Sequence, residues 1–426
     1  MEIKSNKGKK LLVILKDEMK PAFGVTEPIA VALASSSAFK AVGGELEKIK
    51  VTVDPTLFKT GISCVVPGTD ETGFATAAVL GVLIGDPGLE LEVLKHVDGD
   101  SVVKAKSLLE KGIVDVAIKE GQADIYVEAT VKTDRGIGEA VIKGTHTNVV
   151  LLKANGKIIY KKEEREKEYF DITDLKVTDL TKFVEEIPFE NIKFVLDAVR
   201  MNKELAEEGL IGQYGMGVGA TISSLVKEDK ITDDIITSAQ ILVASACDAR
   251  LGGAQKPAMS IAGSGCHGVT ASLPIVVVAE RMHIGEERLA RAIALSFLIT
   301  IYIKSYSGRL SAFCGCAVTA ATGAAAGIVY LLGGSDEQIG YAIKNMAADI
   351  TGLLCDGGNF GCALKTSTGA GAAIRAALLS LKGIVIPSDS GIIEEDVDKT
   401  IRNIGKISSP GMVETNKVVL DIVTGR

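Results

Sequence analysis

Seven cysteines occur in the 426-residue chain, and four of them fall between residues 309 and 366. Cys314 and Cys316 lie in Arg309-Leu-Ser-Ala-Phe-Cys314-Gly-Cys316. Cys355 and Cys362 lie in Leu354-Cys355-Asp356-Gly-Gly-Asn359-Phe-Gly-Cys362-Ala-Leu-Lys365. Thiolates are the usual ligands of iron–sulfur clusters. The glycines between Cys355 and Cys362 would let backbone N–H groups approach cluster sulfurs and tune them. Zinc fits less well, because its cysteine pairs are usually separated by two to four residues; one spacing here is shorter and the other longer. The competing reading is inert, buried cysteine, since free Cys is among the most buried residue types. Spacing alone leaves both open.

Other segments offer weaker chemistry. Gly263-Ser-Gly-Cys-His-Gly268 could cradle an anion on backbone N–H groups or be a plain glycine loop. Cys266 within it is a further thiol or an incidental small residue. Thr26 can cap a helix with Pro28 in its first turn, which would make Thr26-Glu27-Pro28 purely structural. His146, in Gly144-Thr-His-Thr-Asn148, reads by itself as a satisfied structural histidine. Arg250, in Asp248-Ala-Arg-Leu-Gly-Gly, suits bidentate carboxylate binding or a salt bridge to Asp248 equally well. Lys59 reads as a solvated lysine, and Lys365 as a charge that neutralises a cluster.

Together these segments carry a resemblance. Gly24-Val-Thr-Glu-Pro-Ile-Ala-Val-Ala-Leu33, Ser245-Ala-Cys-Asp-Ala-Arg-Leu-Gly-Gly253, Gly263-Ser-Gly265, Arg309 to Cys314 and Cys355 to Lys365 resemble the L-cysteine desulfidase family. That family is related to the catalytic chain of iron–sulfur L-serine dehydratases. The resemblance covers nearly the whole chain, with the motifs in family order. It implies a lyase that splits L-cysteine into pyruvate, ammonia and sulfide with a [4Fe–4S] cluster and no pyridoxal phosphate. It maps the cluster ligands onto Cys314, Cys355 and Cys362, with Cys316 as runner-up for the first. It also implies catalytic roles for Thr26, Glu27 and His146, and substrate contacts from Lys59, Asn148, Arg250 and Ser264. One position departs from the family: its motif reads Gly-Cys-Thr-Glu-Pro, with the cysteine as the base that takes the α-proton, and here the residue is Val25. Valine has no ionisable proton, so the base would be another group, such as Glu27, His146 or Cys266; otherwise the substrate differs or activity is weak.

Composition narrows the classes. Lys and Arg number 47 against 54 Asp and Glu, a formal charge of −7. No basic stripe or aromatic ladder marks a nucleic-acid surface. The uncharged stretch from Leu310 to Ser335 is long enough to suggest a membrane span. Its cysteines, glycines and hydroxyls instead predict a buried core helix. An odd cysteine count excludes a complete disulfide framework. The first ten residues lack an apolar core and a cleavage site, so a cytoplasmic protein with reduced thiols is expected, as a homo-oligomer acting on a small amino acid.

The elements that must hold these residues divide the chain in three. Residues 1–45 read as N-terminal helices packing on the catalytic part. Residues 46–165 alternate as strands, at 47–53, 114–118, 123–131, 138–142 and 148–152, with Asn155-Gly156 as a hairpin turn. Lys59 to Gly68 reads as a loop. The charge run Lys161 to Glu168 reads as a solvated linker. Residues 166–426 are helical in period and rich in small residues. The fold class is therefore α+β, with a small α+β domain set after the first helices and packed on a larger helical domain. Three functions remain: a cluster-dependent lyase acting on cysteine, serine or another β-substituted amino acid; a pyridoxal-phosphate lyase, for which no lysine has a convincing context; and a non-catalytic cluster protein.

Overall fold

The computed structural model describes residues 5–122, 125–162 and 172–425, and its class is the expected α+β. Its strands are β1 (Lys20–Phe23), β2 (Leu46–Val53), β3 (Val114–Ile118), β4 (Tyr126–Thr133), β5 (Gly136–Lys143), β6 (Val149–Ala154), β7 (Lys157–Lys161) and β8 (Pro257–Ser260). Six form one mixed sheet in the order β3-β2-β4-β5-β6-β7. Only the β2–β3 pair is parallel. Register follows from alternation. Ile49, Val51 and Val53 of β2 stand opposite Val131, Ala129 and Val127 of β4, and all six are fully buried. Lys48 and Lys50 face water. Burying a valine or isoleucine side chain contributes about 1.5–3 kcal/mol, and a slip of one residue would expose the whole set. Asn155 and Gly156 both take positive φ, 51° and 76°, as the two-residue turn between β6 and β7 requires.

The helices used below are α1 (Asn6–Glu18), α2 (Thr26–Val42), α3 (Pro55–Gly61), α4 (Gly73–Ile84), α5 (Gly99–Glu110), α6 (Leu196–Ile211), α7 (Ile235–Leu251), α8 (Gly265–Arg281), α9 (Glu286–Ser307), α10 (Ala321–Leu331), α11 (Asp336–Ile350), α12 (Cys362–Leu381) and α13 (Val413–Thr424). α1 leans on α9 through Leu11, Leu12 and Leu15. α2 does not follow the expectation for residues 1–45: it lies across β4 and β5 and packs on α4, sharing the apolar cluster of the sheet. From α6 onward small-residue helices stack on one another, α7 on α6 and α12, and α10 on α9, α11 and α12. α9 is long and apolar enough to cross a membrane by composition, yet most of its apolar length is buried inside the protein. Residues 317–331 are likewise buried throughout.

Three local readings change. Lys59 lies on a helix rather than a loop: Asp54 accepts from the N–H groups of Thr56 and Leu57, with Pro55 in the first turn, so one short helix forms. Thr26 is not a cap but the first residue of α2, whose cap position is Val25 and has no side-chain bond. The Gly263 loop is short and opens directly into α8, which accommodates Pro274. The charge run 161–168 lies almost wholly outside the described residues.

Candidate active site

Two short pairings bring distant segments together. β1 and β8 form an antiparallel ribbon, Lys20 opposite Ser260 and Phe23 opposite Pro257. This sets the turn into α2 beside the glycine loop, where the Thr26 hydroxyl lies 3.0 Å from Gly263 O and 3.1 Å from Glu27 Oε2. The second pairing joins the cysteine loops. Phe313 bridges Leu354, Cys314 N–H donates to Leu353 O at 2.7 Å, and Cys355 N–H donates to Ala312 O at 2.9 Å. The second loop then crosses the end of α3. Gly358 N–H donates to Thr60 O at 2.8 Å. A Cβ on Gly357, whose φ is 105°, would stand 2.6 Å from Lys59 O. Only glycine tolerates both that angle and that approach.

The thiols form a chain. Cys247 on α7 lies 3.5 Å from Cys266 on α8, sulfur to sulfur. The Cys316 thiol interacts with both Cys266 and Cys314, and Ser264 Oγ lies 3.9 Å from the Cys316 sulfur. The contact with Cys316 lowers the Cys314 pKa to about 7. Cys266 is lowered well below an ordinary thiol, first by its contacts with Cys247 and Cys316 and then by Arg250. Cys316 is pushed up by the same contacts, and Cys362 by burial. Cys314 and Cys266 are therefore the thiols best disposed to ionise.

Three buried cations surround this chain. Lys59, Arg250 and Lys304 are 1%, 2% and 4% exposed. None pairs with a carboxylate among the described residues. Lys59 Nζ donates to Cys355 O at 3.0 Å and to Asn416 Oδ1 at 2.7 Å. Lys304 Nζ donates to Ser311 Oγ at 3.2 Å, and burial lowers its pKa to about 8 against the pull of the Cys316 and Cys355 thiols. Arg250 Nη1 reaches Cys266 Sγ at 3.2 Å, while its Nε and Nη2 have no protein partner. Buried cations normally carry a counter-charge. Here no carboxylate is in contact, and the counter-charge would come from thiolates, from Glu27 acting at a distance on Arg250, or from a bound anion.

Glu27 and His146 make a second buried group, with Glu27 Oε1 3.9 Å from His146 Nε2. Burial raises the Glu27 pKa, opposed in part by Arg250 and Thr26. Burial, then the charges of Arg309 and Arg250, lowers that of His146 to about 3, so the ring is neutral. Its Nε2 has no hydrogen-bond partner.

The residues singled out from the sequence thus separate. Thr26, Glu27 and His146 meet around Gly263, since a Cβ there would lie 3.3 Å from His146 Nδ1. Ser264 faces Cys316, and Arg250 faces Cys266. Asp248 does not take Arg250; it accepts from the N–H groups of Met216 and Gly219 at 3.3 and 3.1 Å. Lys59 is neither solvated nor free, its ammonium being held by two carbonyl oxygens. Asn148 stays outside the group: its amide donates to Lys143 O at 2.8 Å and its oxygen receives Lys162, on an open surface depression near Tyr160. Lys365 pairs with Asp356. The sequence reading gave no role to Cys64, Cys247, His267, Lys304 or Arg309. Cys64 donates to Gly358 O at 3.1 Å. His267 Nδ1–H donates to Ile261 O at 3.1 Å, and its other nitrogen stands where a Cβ on Gly315 would reach. Arg309 pairs with Glu18 at the edge of the site. Lys304 had a visible signal, a lone lysine after the apolar run of α9.

These groups can be tested against the cluster implied by the resemblance. Among the described residues no three His, Cys, Asp or Glu side chains already stand as a metal-binding set; the thiols contact one another instead. Their chemistry fits all the same. Soft sulfur donors on two tied loops, one of them ionising near pH 7, are ringed by cations that lack carboxylates. Cys314, Cys355 and Cys362 would hold such a group, with Cys316 beside them.

Comparison with known proteins agrees in extent. The family described as serine dehydratase alpha chain matches residues 90–421. A UPF0597 protein of Clostridium botulinum (strain Hall) is 45% identical over 423 residues, covering 97% of this chain and 98% of that protein. A UPF0597 protein of Clostridium tetani (strain Massachusetts) is 41% identical over 421 residues, covering 98% of each. A second Clostridium botulinum protein of that name is 40% identical over 417 residues, covering 97% of this chain and 96% of its own length. These names state no activity.

Proposed function

The chain belongs to the serine dehydratase alpha chain family, and from that premise we propose that it is an iron–sulfur lyase eliminating the β-substituent of a small L-amino acid. L-Serine is the first substrate and L-cysteine the second, since Val25 stands where the desulfidase motif has cysteine. The observation that carries the reading is the ring of buried Lys59, Arg250 and Lys304 around the thiols without a carboxylate partner. Such a ring suits an anionic centre and the carboxylate of its substrate.

Each residue then has a role. When bound at Cys314, Cys355 and Cys362, the cluster supplies a Lewis acid for the leaving hydroxyl or thiol. Arg250 offers Nε and Nη2 as a fork for the substrate carboxylate, while Nη1 stays on Cys266. Glu27, a buried carboxyl with a raised pKa, takes the α-proton. Neutral His146 stands 3.9 Å away as a wall of the pocket, and the Thr26 hydroxyl links Glu27 to the Gly263 carbonyl. Loss of the Cα–H proton and the Cβ substituent leaves aminoacrylate, which tautomerises and is hydrolysed to pyruvate and ammonia. The buried small-residue walls exclude water while the charges separate.

The test is anaerobic purification followed by iron and sulfide analysis and pyruvate release from L-serine and L-cysteine. About four irons per chain and pyruvate from serine are expected. A chain that binds no iron, or one that makes pyruvate only with added pyridoxal phosphate, would overturn the proposal.

A further inference from the structure

Lys59 enters the chemistry above only as one charge of the ring and the C-terminal helix not at all, yet the two converge on one cysteine. α13 is a peripheral helix. It rests on α3 and on the turn Ile407–Gly411, Val419 is its one buried residue, and Val413, Val418 and Ile422 are exposed. Its inward polar contact is Asn416. The Asn416 oxygen accepts from Lys59 Nζ at 2.7 Å, and its amide nitrogen donates to Thr56 Oγ1 at 3.2 Å. Both contacts fall on α3, and together they fix which way the amide points. The same ammonium donates to Cys355 O at 3.0 Å.

We propose that Lys59 and Asn416 are positioning residues for the Cys355 thiol, and that α13 sets the place of this cysteine through them. Cys355 is gripped from two sides. Its N–H is bound to Ala312 O, on the first cysteine loop, and its carbonyl is bound to Lys59, on α3. The next residues lie backbone to backbone on the end of α3, through Gly357 and the Gly358 N–H. The Lys59 ammonium is 1% exposed and has two neutral acceptors, so it cannot turn to water if one is lost. Removing the Asn416 oxygen leaves a buried charge with a single acceptor. Lys59 must then shift, and the Cys355 carbonyl loses its hold. Cys314 is anchored to Leu353 and has no contact with Lys59 or Asn416, so the effect falls selectively on Cys355.

The experiment uses the full-length chain, freed of metal by a chelator and alkylated with iodoacetamide, with each cysteine followed by peptide mass spectrometry. Asn416→Ala should raise the alkylation rate of Cys355 about tenfold, the scale set by losing a hydrogen bond to a charged group in a locally opening segment, while Cys314 changes by less than about twofold. Asn416→Asp keeps an acceptor for Lys59 and should stay near the parental rate. Lys417→Ala, one residue away and exposed, should change nothing. Asn416→Ser, too short to reach Lys59, should reproduce the selective rise where the alanine variant does not accumulate. An unchanged Cys355 rate in folded Asn416→Ala or Asn416→Ser would overturn the proposal. So would an equal rise at every cysteine, which is what mere loosening would give. The readout needs no iron, so it can fail while the cluster reading stands, and can succeed where the iron analysis fails.

Discussion

Arg250→Lys is the most direct perturbation of the proposed substrate site. Arg250 is 2% exposed, its Nη1 lies 3.2 Å from Cys266 Sγ, and Nε and Nη2 have no protein partner. A carboxylate received by that edge would make two charge-assisted bonds, each contributing about 1.5–3 kcal/mol. Lysine keeps the positive charge near Cys266 but has no planar fork. It can replace one of the two bonds at best, for a loss of about 1.5–3 kcal/mol. At 1.4 kcal/mol per factor of ten, KM for L-serine should rise about 10- to 100-fold. The carboxylate is equally charged in ground and transition states, so kcat should change by no more than a few-fold, the pattern of lost uniform binding. Pyruvate formation followed across a wide serine range separates the two constants. An unchanged KM would refute the assignment of the free edge to the carboxylate. A fall in kcat at constant KM would move Arg250 to the reacting centre.

Other expectations follow from the same geometry. Cys355→Ala should lose bound iron and its visible absorbance in anaerobic preparations, while Cys64→Ala, whose thiol only caps Gly358 O and Thr60 O, should keep them; full iron in Cys355→Ala would refute the ligand set, and Cys314→Ala beside Cys316→Ala decides which thiol is the first ligand. Val25→Cys should raise sulfide release from L-cysteine well above the parent, and equal, robust rates in both would show that position 25 does not limit the reaction. Acid should destabilise the fold. His146 and His267, both lowered mainly by burial to about 3 from 6.5, bind more protons unfolded than folded between those values. Their contribution is full above pH 6.5 and is lost as pH falls, about 2 kcal/mol per histidine from pH 7 to pH 5. The urea midpoint at the two pH values measures it, and a flat midpoint would refute the burial argument.

What could be read from the chain followed physical range. The sheet was legible because one face is buried and alternation marks it: the run from Glu47 to Val53 appears almost residue for residue as β2, Leu46–Val53. The Asn155-Gly156 turn was legible because its backbone angles demand those residues. α3 was missed although Asp54-Pro55 announces it, because a helix of two turns has little periodicity to display. α8 was missed because its glycine-rich start and Pro274 look like loop. At the site, the motif residues could be named but not their partners. That Asp248 serves backbone N–H groups rather than Arg250, or that Asn148 serves a hairpin, depends on contacts between segments far apart in the chain. Cys247 lay inside a motif and Lys304 stood out after an apolar run, but the role of each became visible only through its neighbours.

The charge arrangement joins stability to function. Lys59, Arg250 and Lys304 sit where water cannot reach them, and their protein partners are carbonyls, hydroxyls and a thiol. Placing such cations in the interior opposes folding unless negative charge forms beside them. The Cys314 and Cys266 thiols, lowered by their neighbours, can provide part of it. Two donors of Arg250 are still unpaired by protein, and an anion that takes them binds the folded chain and not the unfolded one. The same side chains that make the interior costly would therefore make it selective for an anionic ligand. Val25, an apolar residue among Cys64, Cys266 and Leu205 in the adjoining cluster, adds neither charge nor proton. With Glu27 as the proposed base, the α-proton of a bound substrate would face α2 while its leaving group faces the cysteine loops.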